Sequence, residues 1–373
     1  MRFEWMESFL CRARLETLHA ALATEQLDAL QLAARTDRDE LMRRLKALGI
    51  PLGKRHALIG ALLLAAPPSV KGASSPPART PLTTRPPSAP LSPHWPRAPV
   101  PRHAAGRRGA LLLFGLPKFF APRVFPRMER KLLSRIPLPC DVFVHTYDLT
   151  HTSNPRNREA GCALAPAEVA VAEPLSVQFQ SQDEADRAHS ALFERLQAHG
   201  DAWQNHYTSL RNVLREANSL ARAHELMRAA EKQSGQEYAV VCCSRMDVLY
   251  VDPLPVECVQ ALQRAADDQL DPNVLFVPNF HEWRLSQRGI SRSGGMNDRF
   301  AIGGPRAISA YATERLVNME LFCESTNLPF HTETFMQWLM RREGVNVVRM
   351  HFRLQRLRAT GEVHDGDREL LPV

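Results

Sequence analysis

The stretch from Pro67 to Arg108 holds seven basic residues (Lys71, Arg79, Arg85, Arg97, Arg102, Arg107 and Arg108) and no acid. It is rich in proline, serine and alanine and has too few large apolar residues to bury a core. Such a segment is expected to be extended or disordered. A chain of 373 residues broken in this way cannot fold around one core. It divides into residues 1–66, a linker over 67–108, and residues 109–373.

The linker also accounts for the charge. The chain carries a net +7, and removing the seven linker cations leaves the remainder near neutral. No specific nucleic-acid partner is therefore expected, since that would need a basic face on a folded part. The alternative is non-specific, salt-dependent binding by the linker alone. Pro87, Pro90, Pro93, Pro96 and Pro99 recur every third residue and would share one edge of a polyproline II helix. That edge suits either a groove that binds proline-rich peptides or a stiff spacer.

Seven cysteines with no Cys-x-x-Cys spacing point to a reduced chain without a zinc site. The opening Met1-Arg2-Phe3-Glu4-Trp5 has mixed charge and no apolar secretory segment. The run from Ala57 to Ala66 is too short to span a bilayer. A cytoplasmic chain with no membrane span is expected.

Residues 1–66 carry apolar side chains at helical spacing. Thr36-Asp37-Arg38-Asp39-Glu40 places a capping threonine ahead of acids, and Gly49-Ile50-Pro51 stops the helix that follows. Gly53-Lys54-Arg55 opens a long last helix, so a small helical bundle is expected. With Trp5, Phe9-Leu10, Leu15, Asp28-Ala29-Leu30-Gln31-Leu32 and Leu48-Gly49-Ile50, the pattern resembles a sterile alpha motif (SAM) domain over residues 3–65. That resemblance implies an interaction module that self-associates or binds other SAM domains. Asp28, Asp37 and Asp39 would meet Lys54 and Arg55, or these are ordinary solvated charges.

Beyond residue 109, apolar runs alternate with helical stretches. Leu111–Leu116, Val142–Tyr147, Ala239–Leu249 and Val274–Pro278 read as strands, and Asp183–Gln233 as a long helical stretch. A mostly parallel sheet with helices on both faces follows. Polar residues gather where strands end: Gly115, then His145, then Arg245-Met246-Asp247. Gly294-Gly295-Met296-Asn297-Asp298-Arg299 precedes another apolar pair, Ala301-Ile302, and His331-Thr332-Glu333-Thr334 precedes a helix over Phe335–Arg342. The carboxyl edge of an open α/β sheet is where ligands bind. The arginines of the Phe352–Arg358 segment would face anionic groups if it flanks that edge, and water otherwise.

With Phe114-Gly115, Asp141–Tyr147, Asn154-Pro155-Arg156-Asn157, Asn218-Ser219, Asp252-Pro253-Leu254 and Asn297–Gly303, this part resembles glycosyltransferase-like proteins of the GT-A type, akin to bacterial lipopolysaccharide-synthesis proteins. The resemblance covers most of residues 110–368 and implies a Rossmann-like (GT-A-like) sheet that binds a sugar nucleotide. It implies substrate contacts at Gly115, His145, Arg245, Asp247, Asn297 and Arg299, and a general base among Asp298, Glu333 and His331. It also implies Mg²⁺ or Mn²⁺ at Asp247, although the usual Asp-x-Asp reads Arg245-Met246-Asp247 here. One carboxylate is a poor sole ligand for such ions. Arg245 could instead neutralise a leaving diphosphate. The alternative is a scaffold whose α/β domain binds a sugar or nucleotide without turning it over.

Overall fold

The computed structural model describes residues 107–369. The SAM-like region, with Asp28, Asp37, Asp39, Lys54 and Arg55, and the linker up to residue 106 lie outside the described residues.

The described chain runs β1 (Gly109–Phe114), α1 (Phe125–Lys131), β2 (Cys140–Tyr147), β3 (His151–Asn154), β4 (Glu159–Ala163) and β5 (Ser176–Gln180). Then come α2 (Gln182–Ala188), α3 (Ser190–Gln197), α4 (Thr208–Ser234), β6 (Val240–Arg245), β7 (Val248–Tyr250) and α5 (Val256–Gln263). The last part holds β8 (Val274–Pro278), β9 (Arg284–Ser286), β10 (Gly289–Ser291), β11 (Phe300–Gly303), α6 (Pro305–Thr326), α7 (Thr332–Arg342), β12 (Asn346–Met350) and β13 (Leu354–Arg356).

Seven strands form one sheet in the order β12-β8-β11-β6-β1-β2-β5. All run parallel except β11, which is antiparallel to both of its neighbours. Side chains alternate across each strand. Leu112, Phe114, Val241 and Cys243 enter a core built with α4, α6 and α7. Leu111, Leu113, Val240 and Cys242 enter a second core on the opposite face. The sheet is thus covered on both sides, an α/β, Rossmann-like arrangement.

Two expectations are revised. The run Ala239–Leu249 is not one strand: β6 ends at Arg245, the chain turns at Met246-Asp247, and β7 pairs instead with β13. The Asp183–Gln233 stretch is broken before α4, because the Asp201 carboxylate accepts backbone N–H groups of Trp203, Asn205 and Tyr207 at 2.7–3.0 Å. Those bonds hold a turn in which Gln204, His206 and Tyr207 take positive φ, a conformation no helix continues through.

Among the described residues, no helix is long and apolar enough to cross a membrane.

Candidate functional site

Because β11 runs against β6, with Phe300 opposite Ser244, its leading residues reach the edge where the parallel strands end. Arg245 N–H donates to the Arg299 carbonyl at 3.3 Å. The Arg245/Asp247 and Asp298/Arg299 pairs therefore lie side by side, about fifty residues apart in sequence.

Arg245 is fully engaged. Its Nε and Nη2 donate to both oxygens of Asp247 at 2.9 and 2.8 Å, and Nη1 donates to Glu216 of α4 at 2.8 Å. Burial opposes its charge, but Asp247 and Glu216 more than compensate and hold its pKa well above the ordinary value. Asp247 is the mirror case: burial alone would raise it, and Arg245 brings it down to about 2. Arg245 is thus not free to meet a leaving diphosphate.

Each Asp247 oxygen accepts one hydrogen bond from Arg245, so this carboxylate already faces a cation and keeps one lone pair per oxygen for any further ligand. Asp252, the next acid along, bonds Arg353 through both oxygens at 2.6–2.9 Å. Among the described residues, no group of three or more His, Cys, Asp or Glu side chains is placed to hold a metal ion.

Asp298 differs from the other acids. It is half-buried, Tyr311 Oη donates to its carbonyl at 2.9 Å, and its carboxylate makes no ion pair among the described residues. Its charge acts on Arg245, Arg299, Glu216 and Glu333. Glu333 stands in the first turn of α7, with a side chain 19% exposed and 3.6 Å from His331 Nε2. Burial, then the charge of Asp298, push Glu333 up to about 8. Burial and Asp298 likewise raise Glu216, against the pull of Arg245. The fold therefore favours a protonated Glu333, and its stability falls as pH rises from the ordinary carboxyl range through about 8. Glu333→Gln should flatten that decline, seen as a smaller drop in Tm between pH 5 and 9 than wild type shows.

Other expected contacts turn out to be internal. His145 is fully buried, with Nδ1 at 2.9 Å from Ser219 Oγ, and burial lowers its pKa to about 4. Asn297 is buried too: Oδ1 accepts from Arg299 N–H and Nδ2 donates to the Phe280 carbonyl. Both shape the edge and do not line it. His331 is the N-cap of α7, which begins at Thr332 and not at Phe335. Its ring stacks on Trp203 at 5.7 Å, and Nδ1 lies 3.0 Å from Thr334 Oγ1. Gly115 is at the edge, with φ +87° and open space where a side chain would stand. Its N–H donates to Ser219 Oγ at 3.0 Å.

The glycine pair has a packing reason. A methyl on Gly295 would sit 2.0 Å from the Trp283 carbonyl oxygen and 3.0 Å from that of Glu333. Gly295→Ala should cost about 1–3 kcal/mol, read as a lower urea midpoint.

Two groups at this edge carry no local sequence signal. Glu216 reaches it from mid-helix. Asp367, fully buried near the end of the described chain, pairs with Arg299 at 3.2 Å and Arg356 at 2.9 Å. Arg358, in the arginine-bearing segment singled out in the sequence, feels the charges of Arg356, Asp247 and Glu159. A cavity of about 260 Å³, lined by Asp186, His189, Phe193, Arg211 and Arg215 among others, contains none of these residues. Charge, not enclosed volume, marks the site.

Comparison with known structures finds a likeness to mouse xyloside xylosyltransferase 1 in its apo form, at 11% identity and a TM-score of 0.32. The match covers 65% of this chain and 84% of that one. A likeness at that level carries no inference for the site. No family model matches the chain, and no curated protein matches it.

Proposed function

We propose that the α/β domain over 109–373 is a glycosyltransferase-like enzyme that takes a sugar nucleotide at the carboxyl edge of its sheet. The observation that supports this most is the half-exposed, unpaired Asp298 carboxylate, held beside Glu333 and a row of arginines at that edge. The acceptor hydroxyl oxygen attacks the anomeric carbon of the donor sugar. The bond from that carbon to the β-phosphate oxygen breaks, and the nucleoside diphosphate leaves. The hydroxyl proton passes to Asp298, with Glu333 as the companion carboxyl. A base in this role must lie within hydrogen-bond reach of the hydroxyl, which an unpaired side chain at the edge allows.

In the same reading, a SAM-like module over 1–66 anchors the enzyme to a partner or a second copy in the cytoplasm. The linker over 67–108 sets the reach of that tether, raising local concentration without new contacts.

The test is nucleoside diphosphate release by the full-length protein from a panel of sugar nucleotides. Release from at least one donor, faster with an acceptor glycan present, is expected. A folded protein that binds donors and releases diphosphate from none would overturn catalysis and favour a binding scaffold.

A further inference from the structure

The hairpin of β9 and β10 pairs with no other strand among the described residues. Between Trp283 and Asn297 the chain has three arginines, Arg284, Arg288 and Arg292, and no acid. All three are exposed, and none has an ion pair or a side-chain hydrogen bond among the described residues. The acid just before the hairpin, Glu282, is taken by Arg349. The acid just after it is Asp298, whose carboxylate is unpaired among the described residues. Three like charges crowded on one short hairpin raise a positive potential that nothing in the described fold neutralises.

The register puts charge on more than one side of the hairpin. Arg284 stands opposite Ser291, and Leu285 opposite Ile290. Opposed residues share a face and successive ones alternate, so Arg284 lies on one face and Leu285 on the other. The Arg292 guanidinium lies over the Trp283 ring at 5.7 Å, and Arg288 stands in the turn between the strands. The foot of the hairpin is fixed beside the candidate base. Leu285 N–H donates to Thr334 Oγ1 at 2.7 Å. Gly295 N–H donates to the Glu282 carbonyl at 2.9 Å, and Met296 N–H to the Glu333 carbonyl at 2.8 Å. Arg349 donates to the Gly295 carbonyl through both terminal nitrogens, at 3.1 and 3.0 Å. After Met296 come Asn297 and Asp298. The cationic arm therefore rises from the same short segment that carries Asp298, against the turn that carries Glu333.

We propose that this hairpin binds the acceptor, and that the acceptor is an anionic oligosaccharide with carboxylate or sulfate groups on its sugars. The inference rests on the reading of this edge as a transferase site, and it adds the class of acceptor. Guanidinium forks match the oxygens of such groups, while a hydroxyl of the same glycan reaches Asp298. Arginines on a face, at the turn and over Trp283 suit a chain with repeated charges. A single small anion would need donors converging on one point. A membrane surface fits less well. Ile290, 51% exposed, is the one large apolar side chain that the hairpin exposes, and interfacial binding takes a broad apolar face.

Fluorescence anisotropy of the full-length protein with labelled oligogalacturonate, a heparin-derived oligosaccharide and a neutral malto-oligosaccharide of like length tests it. At least one anionic probe should bind, more weakly as salt rises, and the neutral probe should bind far more weakly. Arg284→Ser, Arg288→Ser and Arg292→Ser together should weaken anionic binding by about tenfold, the sum of three exposed ion pairs. Tm should stay near wild type, since none of the three is ion-paired within the described fold. Arg284→Lys, Arg288→Lys and Arg292→Lys together should keep most of the binding. The linker is basic too, so the triple serine change is repeated in a chain with Lys71→Ser, Arg79→Ser, Arg85→Ser, Arg97→Ser and Arg102→Ser, where the same relative loss is expected. No anionic binding, equal affinity for neutral and anionic probes, or a loss that follows the linker and not the hairpin would overturn the proposal. Binding to anionic phosphatidylglycerol vesicles and to neither glycan would overturn it as well. Nucleoside diphosphate release stimulated by the neutral acceptor alone would sink the anionic acceptor and leave the transferase reading standing. Hairpin-dependent glycan binding with no donor turned over would uphold the glycan-binding arm and overturn that reading.

Discussion

Asp298→Asn should lower the rate of nucleoside diphosphate release by about 10²- to 10⁴-fold, the usual contribution of a positioned general base. The substitution keeps the shape of the side chain and breaks no ion pair among the described residues. Tyr311 holds the backbone carbonyl of Asp298, not its carboxylate, so that contact survives. Donor binding should therefore stay near wild type, and the loss should fall on kcat. One accompanying change is physical and not catalytic. The Asp298 charge raises Glu333, so its removal should bring Glu333 down and weaken the fall of Tm with rising pH. A variant that turned over donor at the wild-type rate would show that the acceptor proton goes elsewhere, with Glu333 the next group to test.

Asp367→Ala should be the most destabilising change at this edge, at about 3–5 kcal/mol, the range for removing one partner from a buried ion pair. Asp367 is fully buried and serves two arginines, of which Arg299 is itself buried. It also accepts the backbone N–H of Arg356 at 2.8 Å. Taking it away leaves two cations facing each other in a water-poor site. Burial opposes its ionisation, yet Arg299 and Arg356 hold its pKa well below the ordinary 3.8. A carboxyl depressed in this way contributes its stability in full above the unfolded value and loses it as pH falls below 3.8 toward the folded value. Asp367→Asn should therefore be destabilised at neutral pH and show a shallower loss on acidification than wild type. Urea midpoints at pH 7 and pH 3 measure both effects. A midpoint for Asp367→Ala close to wild type would mean that the two arginines have found water or another partner.

Much of the sheet is legible in the residues themselves. Val274–Pro278 is a strand with the bounds its apolar run suggests, and the strand cores of β1 and β2 lie inside their runs. Continuous apolar stretches mark strands buried on both faces. The break before α4 is less legible, because Asp201 looks like any surface acid until its carboxylate is seen gathering three N–H groups.

At the candidate site, the residue types were legible and their availability was not. Arg245 and Asp247 stand out in sequence as a charged pair ending an apolar run, which suggests a ligand contact. In the fold they satisfy each other, together with Glu216. Asn297 attracts attention for the same reason and is occupied within the protein, whereas His145 bonds Ser219 through Nδ1 and leaves its buried Nε2 without a hydrogen-bond partner. Asp298 stands among the candidate bases in the sequence, but only the fold shows that its carboxylate makes no ion pair among the described residues.

The chain's own order of residues thus determined where strands run, since unbroken apolar runs and turn residues act over a few positions. It also determined that acids and arginines would crowd one edge, because both follow strand ends. Only the tertiary structure decided which of those charges are neutralised. Ion pairing depends on distances between segments far apart along the chain: α4 supplies Glu216, and the far C-terminal turn supplies Asp367. Coulomb attraction falls with separation in space and takes no account of separation in sequence.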